Sequence, residues 1–189
     1  MEYDEIDKYK PDIIIDNGGG YIKAGLSGEE GPKSVFPTII GYPKYSTYNG
    51  ISREKKNFKV GSDAENSRGI LKLNYPIKHD KIENWDDMEN VWGHIFTNEL
   101  RVYPKEHNVL ITDSSYLKEN REKIAQIMFE TFNLPGLCIF NPGVLSLFSE
   151  DLFTGVWIDL GDGVSQFVPV YDGFPITYFI KRYNFGGRE

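Results

Sequence analysis

Short apolar runs separated by glycine-rich turns open the chain and return near its other end. The first set predicts three strands joined in an antiparallel meander: 11–16, 21–26 and 34–40. The second set repeats the arrangement: 155–159, 164–171 and 176–182. In each set the first run ends in an aspartate, Asp16 or Asp159. A repeat at so long an interval indicates a duplicated domain rather than a solenoid.

The segment between the two meanders begins with an amphipathic helix. Asn84 is a good N-cap for it, because an asparagine side chain can accept a hydrogen bond from a free N–H of the first turn. Asp86 and Asp87 also place negative charge at the positive helix end. Apolar residues at helical spacing predict that one face of this helix packs into the core. They are Trp85, Met88, Trp92, Ile95, Phe96 and Leu100.

Further strands and helices follow in alternation. A second helix over 120–132 lies between strands over 108–112 and 137–140. Asn141 is the cap of a short third helix that has Pro142 in its first turn. Strands with helical crossovers predict an α/β fold, with a mixed sheet and helices packed on it.

Composition narrows the functional classes. The 189 residues carry a formal charge of −7, with a pI near 5.1, which argues against nucleic-acid binding because phosphate recognition needs a basic face. No apolar run is long enough to predict a membrane span. The single cysteine, Cys138, excludes an internal disulfide and lies in an apolar run, which predicts a buried structural thiol. This composition is typical of a soluble protein of a reducing compartment.

The candidate chemistry lies in the two turns that follow Asp16 and Asp159. Glycines let the backbone fold tightly and direct successive N–H groups to one point, which makes an anion-binding concavity. A carboxylate beside bound phosphate implies an intervening cation, so the two aspartates are candidates to orient Mg²⁺ through its waters. Lys23 is a candidate to neutralise phosphate charge.

Each of these features also has a simpler interpretation. One such turn can be a plain hairpin, and Lys23 can be an ordinary surface lysine without a ligand. Two turns in equivalent positions favour a clamp around phosphates.

The two turns, in this order, resemble those of the actin family and of its wider ATPase superfamily, which includes sugar kinases and heat-shock chaperones. Other segments resemble actins alone. They are 35–41 (VFPTIIG), 68–71 (RGIL), 75–79 (YPIKH), 84–89 (NWDDME), 98–102 (NELRV), 120–123 (NREK) and 126–133 (QIMFETFN). The resemblance covers nearly the whole chain, from about Asp12 to Glu189, and favours the actin family.

The resemblance implies an actin-like, ribonuclease-H-type fold and a cleft that binds ATP with Mg²⁺ or Ca²⁺. It also implies filament assembly in the cytoplasmic cytoskeleton, with actin or actin-like subunits and actin-binding proteins as partners. Asp16 and Asp159 would lie near the metal. The phosphate-binding residues would be Asn17, Gly18, Gly19, Gly20, Tyr21 and Lys23 in the first loop, and Gly161, Asp162, Gly163 and Val164 in the second. The polar segment 43–56 would contact a neighbouring filament subunit, and His79 would be the histidine that actins often methylate.

The chain departs from the actin pattern where water is activated. In actins a glutamine at the start of the short helix positions the attacking water, and a histidine after the second loop lies near it. Pro142 and Gln166 occupy these positions here, and proline has no side-chain donor or acceptor. Asn141 offers an amide one residue out of register. We therefore expect weak or absent ATP hydrolysis. Gly19, where actins carry a hydroxyl, removes one phosphate contact, and segment 43–56 is longer and more charged than in actins.

The resemblance extends only to the first half of an actin. The sequence predicts a first domain over 1–149, with a loop-rich small subdomain at about 38–69, and the opening meander of a second domain over 150–189. A meander without covering helices leaves Trp157, Ile158 and Phe167 short of partners. We expect that the second domain is truncated after three strands or needs another chain, and that this chain binds nucleotide weakly.

Three functions are compatible with these features. The first is an actin or actin-related protein with a structural, filament-forming or filament-associated role. The second is a truncated, non-polymerising pseudo-actin that is an interaction module or is nonfunctional. The third is an active ATPase or kinase of the wider superfamily, against which Pro142 and Gln166 argue.

Overall fold

The chain begins with the predicted meander. A computed structural model describes residues 10–44 and 57–188. Strands β1 (Ile13–Asn17), β2 (Tyr21–Leu26) and β3 (Ser34–Pro37) pair antiparallel in chain order, which confirms this prediction. Alternate side chains of β1 and β2 are buried on one face of the sheet, as expected for strands with one covered face.

The third strand is shorter than predicted, because the chain changes sheets after Pro37. The predicted strand 34–40 is wrong in its last residues: Ile40–Pro43 forms β4 of a second sheet. Thr38 explains the break. It is fully buried, its N–H donates to the Gly20 carbonyl at 2.9 Å, and its hydroxyl donates to the Gly18 carbonyl at 2.7 Å. Thr38, which directly follows β3, therefore also fixes the first glycine turn.

The second sheet is small and has its own core. Strand β4 pairs with β5 (Lys59–Val60) and β6 (Leu71–Asn74), and helix α1 (Gly61–Asn66) packs against them. The buried cluster of this unit consists of Ile39, Ala64 and Leu71. Residues 45–56 lie outside the described residues, so most of the segment expected to contact a neighbouring subunit has no structural account.

A short hairpin and the predicted helix follow. Strands β7 (Ile77–Lys78) and β8 (Lys81–Ile82) pair through a two-residue turn. Asn84 caps α2 (Trp85–His94) by accepting a hydrogen bond from the Asp87 N–H at 3.0 Å. The helix continues through a π-helical turn, Ile95–Leu100. Five of the six predicted stripe residues are fully buried, and Trp85 is half-buried. The predicted helix and its core face are confirmed.

The first sheet is completed by two parallel strands. Strand β9 (Val109–Thr112), helix α3 (Lys118–Glu130) and strand β10 (Leu137–Phe140) give the strand order β10-β9-β1-β2-β3. The β1–β9 and β9–β10 pairs are parallel, so the sheet is mixed as predicted. Asn141 caps the short helix α4 (Pro142–Phe148), also as predicted. No helix in the described parts of the chain has both the length and the apolar character that a membrane crossing requires.

The last sheet packs on α4. It contains β11 (Gly155–Leu160), β12 (Ser165–Tyr171), β13 (Phe174–Pro175) and β14 (Lys181–Tyr183). Trp157 packs in a cluster with α4, so the expectation that it lacks partners is wrong. Ile158 and Phe167 are exposed, at 56% and 37%, because side chains alternate across the strands and their face has no cover among the described residues.

Cys138 is exposed, so the prediction of a buried thiol is wrong. Its neighbours Leu137 and Ile139 pack against the core beneath α3. Strand alternation then directs Cys138 to the opposite face of the sheet, where Ile14 is also 41% exposed. An apolar run of four residues indicated burial but not which of the two faces is covered.

Two helical glycines provide a matched test of this packing. A Cβ on Gly143 would lie 2.5 Å from the Trp157 ring, whereas a Cβ on Gly93 would lie 3.9 Å from Phe132. Gly93→Ala is expected to raise the free energy of unfolding by about 0.5–1 kcal/mol, since alanine is the better helix former. Gly143→Ala is expected to lower it by about 1–3 kcal/mol, since the ring must move. Urea denaturation measures both, and a stabilised Gly143→Ala variant would contradict the packing described.

Candidate functional site

The first predicted aspartate ends a buried strand and is fixed by two neighbouring strands. Strand register places Asp16 directly opposite Lys23, and the carboxylate and ammonium are 3.0 Å apart. The Thr112 hydroxyl of β9 donates to the other carboxylate oxygen, also at 3.0 Å. Both charged side chains remain about half exposed. A charge pair of this kind contributes little to stability, so the arrangement leaves both groups available to a ligand.

The first glycine turn presents its amides on one side. The carbonyls of Gly18 and Gly20 both point to Thr38. Because a trans peptide holds its C=O and N–H in opposite directions, the N–H groups of Gly19 and Tyr21 point away from Thr38. A Cβ on Gly18 would lie 2.4 Å from the Tyr21 carbonyl oxygen, so a larger residue does not fit there. The turn therefore needs glycine for its shape and offers directed amide donors.

Asn17 is partly buried, and its side chain is joined to helix α2. Its Oδ1 accepts a hydrogen bond from the Trp92 indole N–H at 3.2 Å, and its backbone N–H donates to Thr112 Oγ1 at 2.9 Å. The helix stripe and the first turn are thereby joined. The Asn17 Oδ1 is therefore engaged within the protein, while the residue also lines the cleft.

The second turn is built in the same way on β11 and β12. Asp159 lies near the end of β11, and the Gly161 N–H donates to the Val164 carbonyl at 2.9 Å. Asp162 forms an ion pair with Arg188, whose guanidinium also lies 3.4 Å from the Gly19 carbonyl oxygen. Val164 is buried, so its side chain belongs to the core of this unit.

The two turns face each other across one cleft. A Cβ on Gly20 would lie 2.7 Å from the Asp162 Cβ, so the turns approach to contact at this point. The cleft encloses about 530 Å³. Its lining includes every predicted site residue except Val164: Asp16, Asn17, Gly18, Gly19, Gly20, Tyr21, Lys23, Asp159, Gly161, Asp162 and Gly163. Residues far apart in sequence thus line the same cleft.

Carboxylates dominate the electrostatics of the cleft. Burial raises the pKa of Asp159, and the nearby Asp80 and Asp16 carboxylates raise it further, whereas Lys23 opposes the shift. Such a site favours a cation near Asp159, which would relieve the repulsion. Among the described residues no group of three or more His, Cys, Asp or Glu side chains is placed to hold a metal ion. A cation here would need waters or ligand oxygens to complete its shell.

Asp80, which no sequence pattern indicated, also lines the cleft. The hairpin turn formed by His79 and Asp80 lies against the second glycine turn. His79 Nδ1 is 2.8 Å from the Gly163 carbonyl oxygen, and the Arg182 guanidinium donates to the His79 carbonyl. Both turn residues have positive φ, at 45° and 54°. The sequence did not predict this hairpin, because β7 and β8 have only two residues each and show no clear hydrophobic pattern.

Three residues lie at or beside the positions where actins hold the attacking water: Asn141, Pro142 and Gln166. Pro142 lines the cleft but has no polar side-chain group. Asn141 is buried, caps α4 through Oδ1, and donates through Nδ2 to the Tyr116 hydroxyl at 2.7 Å. Gln166 is fully buried and donates to Asp80 at 2.9 Å. Asn141 is therefore committed to structure and is not available to replace a glutamine.

The chain also matches a known protein family. A family model described as actin matches residues 7–189. The match includes both glycine turns, the helices between them and the small second sheet.

Proposed function

Because the chain belongs to the actin family, we propose that its cleft binds the phosphates of ATP together with a divalent cation and that its role is structural, with little or no ATP hydrolysis. The observation that supports this most directly is the pair of aspartate–glycine turns facing each other across one cleft. Each has a carboxylate at a strand end and a tight glycine backbone. A single turn of this type is an ordinary hairpin, but two opposed turns can grip a phosphate chain from both sides.

The residues present fit the proposed ligand. The amides of Gly19 and Tyr21, with the glycine backbone of 161–163, would bind phosphate oxygens, and Lys23 would add positive charge. Asp16 and Asp159 would hold Mg²⁺ or Ca²⁺ through its waters, which suits a hard cation and half-exposed carboxylates. The cation, when bound, neutralises phosphate charge. Val164 would shape the second turn from the core rather than contact the ligand.

Low hydrolysis follows from the side chains near the cleft. Pro142 offers no hydrogen bond to water, and the Asn141 amide is used at both ends within the protein. Gln166 holds Asp80 through its amide nitrogen. We propose that these three residues leave a bound water without the orientation that phosphate attack requires.

The proposed role of the whole protein is filament assembly or association in the cytoplasmic cytoskeleton, with actin-like subunits or actin-binding proteins as partners. The proposed fold is of the ribonuclease-H type, with a first domain over 1–149, a small subdomain near 38–69 and a second domain beginning at 150. The family membership and the mixed sheet with packed helices support both proposals.

The test combines binding with phosphate release. Isothermal titration with ATP in excess Mg²⁺ is expected to detect binding that is lost on chelation with EDTA. Phosphate release at the same saturating ATP concentration is expected to stay at the protein-free background. Binding without release supports the proposal. No binding would contradict the nucleotide site, and measurable release would contradict the assignment of Pro142 and Gln166.

One observation favours a second candidate, an interaction module that does not polymerise. The uncovered face of the last sheet and its neighbouring segment expose large aromatic side chains, among them Tyr171, Phe174 and Tyr178 at 66–88%. Apolar surface of this kind marks contact sites with other proteins. Co-sedimentation separates the candidates: pelleting with actin filaments supports the filament role, whereas binding to soluble actin-binding proteins without pelleting supports the module.

A further inference from the structure

Asp80 reaches from the β7–β8 hairpin into the phosphate side of the cleft. One carboxylate oxygen, Oδ1, lies 3.9 Å from where a Cβ on Gly19 would be. The other, Oδ2, accepts a hydrogen bond from Gln166 Nε2 at 2.9 Å. A single carboxylate therefore lies against the first glycine turn and is held by β12 of the last sheet. Any phosphate seated on the Gly19 amide would be close to it.

Each of the cations near Asp80 also contacts another group. Lys23 is paired with Asp16, Arg188 is paired with Asp162, and the Arg182 guanidinium donates to the His79 carbonyl. Burial raises the pKa of Asp80, and the Asp113 carboxylate adds to the shift, whereas the nearby Ser114 side chain and the charges of Arg182 and His79 oppose it. The described residues form no salt bridge to Asp80, so its ionised carboxylate is a negative charge without a cationic partner in direct contact, in the wall of an acidic cleft.

We propose that Asp80 is a charge-selective element of the cleft, which weakens binding of a nucleoside triphosphate more than binding of the corresponding diphosphate or monophosphate. The proposal rests on the proposed phosphate-binding function. Its physical basis is that each added phosphate brings negative charge toward a fixed anion, and Coulomb repulsion in a partly buried site is poorly screened. The amide turns attract the phosphates, and Asp80 limits how much charge they accept.

Gln166 indicates that this charge can be removed without damage to the fold. Its Oε1 is buried and, among the described residues, has no hydrogen-bond partner. In Asp80→Asn an amide oxygen in the place of Oδ2 would still accept the hydrogen bond from Gln166 Nε2, so this contact is kept when the charge is removed. Asp80→Gly is a second variant, because glycine is favoured at a φ of 54°.

The experiment measures dissociation constants for AMP, ADP and ATP in excess Mg²⁺ by isothermal titration. Asp80→Asn is expected to tighten ATP binding by about tenfold or more, ADP binding by about threefold, and AMP binding by less. The matched control is Asp172→Asn. It removes the same charge from an exposed turn about 20 Å along β12 from Gln166 and is expected to leave all three constants unchanged. Thermal unfolding checks that each variant is folded.

The outcomes separate this proposal from the function on which it rests. A graded gain in Asp80→Asn and Asp80→Gly, absent in Asp172→Asn, supports it. An equal change for all three nucleotides, or no change, would overturn the charge selection while leaving the phosphate site in place. Absence of binding by native protein and all variants would overturn both.

Discussion

Replacement of Trp92 by alanine is expected to lower the free energy of unfolding by about 3–5 kcal/mol, the usual cost of truncating a large aromatic side chain in a core. Trp92 is fully buried among α2, α3 and the first sheet. Its indole N–H also binds Asn17 Oδ1, so truncation leaves a polar atom of the first turn without its partner. Urea denaturation followed by circular dichroism measures the loss.

A conservative variant separates packing from the hydrogen bond. Trp92→Phe keeps an aromatic ring in the core but removes the N–H donor, and its expected cost is about 1–2 kcal/mol. If Trp92→Ala and Trp92→Phe were equally destabilised, the hydrogen bond to Asn17 would dominate. A loss below about 1 kcal/mol in Trp92→Ala would show that this side chain is not at the centre of the core.

Gly20→Ala is expected to reduce affinity for ATP and Mg²⁺ at least about tenfold, which is about 1.4 kcal/mol of binding free energy. The new Cβ would lie 2.7 Å from the Asp162 Cβ, so the two turns must separate. A phosphate chain held from both sides loses contacts when the turns move apart. Isothermal titration with the native protein and the variant measures the change.

Gly31→Ala is the matched control for this experiment. Gly31 lies in the connection between β2 and β3, and nothing lies within 4 Å of a Cβ placed there. Its binding constant is expected to equal that of the native protein. Equal affinities for Gly20→Ala and native protein would mean that ligand binding does not depend on the close approach of the turns.

The strands and helices with strong periodicity were predictable from the sequence. Strands β1 and β2 have buried character and end at glycine turns, and α2 has a polar cap and an apolar stripe. The end of β3 was not predictable, because apolar residues continue past Pro37 while the chain passes into another sheet. The break depends on Thr38 binding two glycine carbonyls about twenty residues earlier, and local patterns carry no information about such contacts.

The candidate site was predictable only in those parts that are local features of the sequence. The aspartate–glycine turns are local features, and the duplicated meander indicated that they would be equivalent. The cleft wall formed by Asp80 depends on a hydrogen bond to Gln166 across 86 positions of sequence. Likewise, the face on which Cys138 lies depends on which side of the sheet carries α3. Sequence patterns show which residues alternate but not which face is covered.

The pairing of Asp16 with Lys23 also sets a limit on the length of the first turn. These residues oppose each other because the connection from Asn17 to Ile22 has a fixed number of residues. Strand side chains alternate, so an inserted or deleted residue in the turn would reverse the orientation of the whole of β2. Ile22 and Ala24 would then leave the core while Lys23 entered it. In this turn, therefore, changes of residue type and changes of length face different constraints. Some substitutions can be absorbed locally, whereas a single-residue insertion or deletion that no bulge takes up is transmitted to the entire strand.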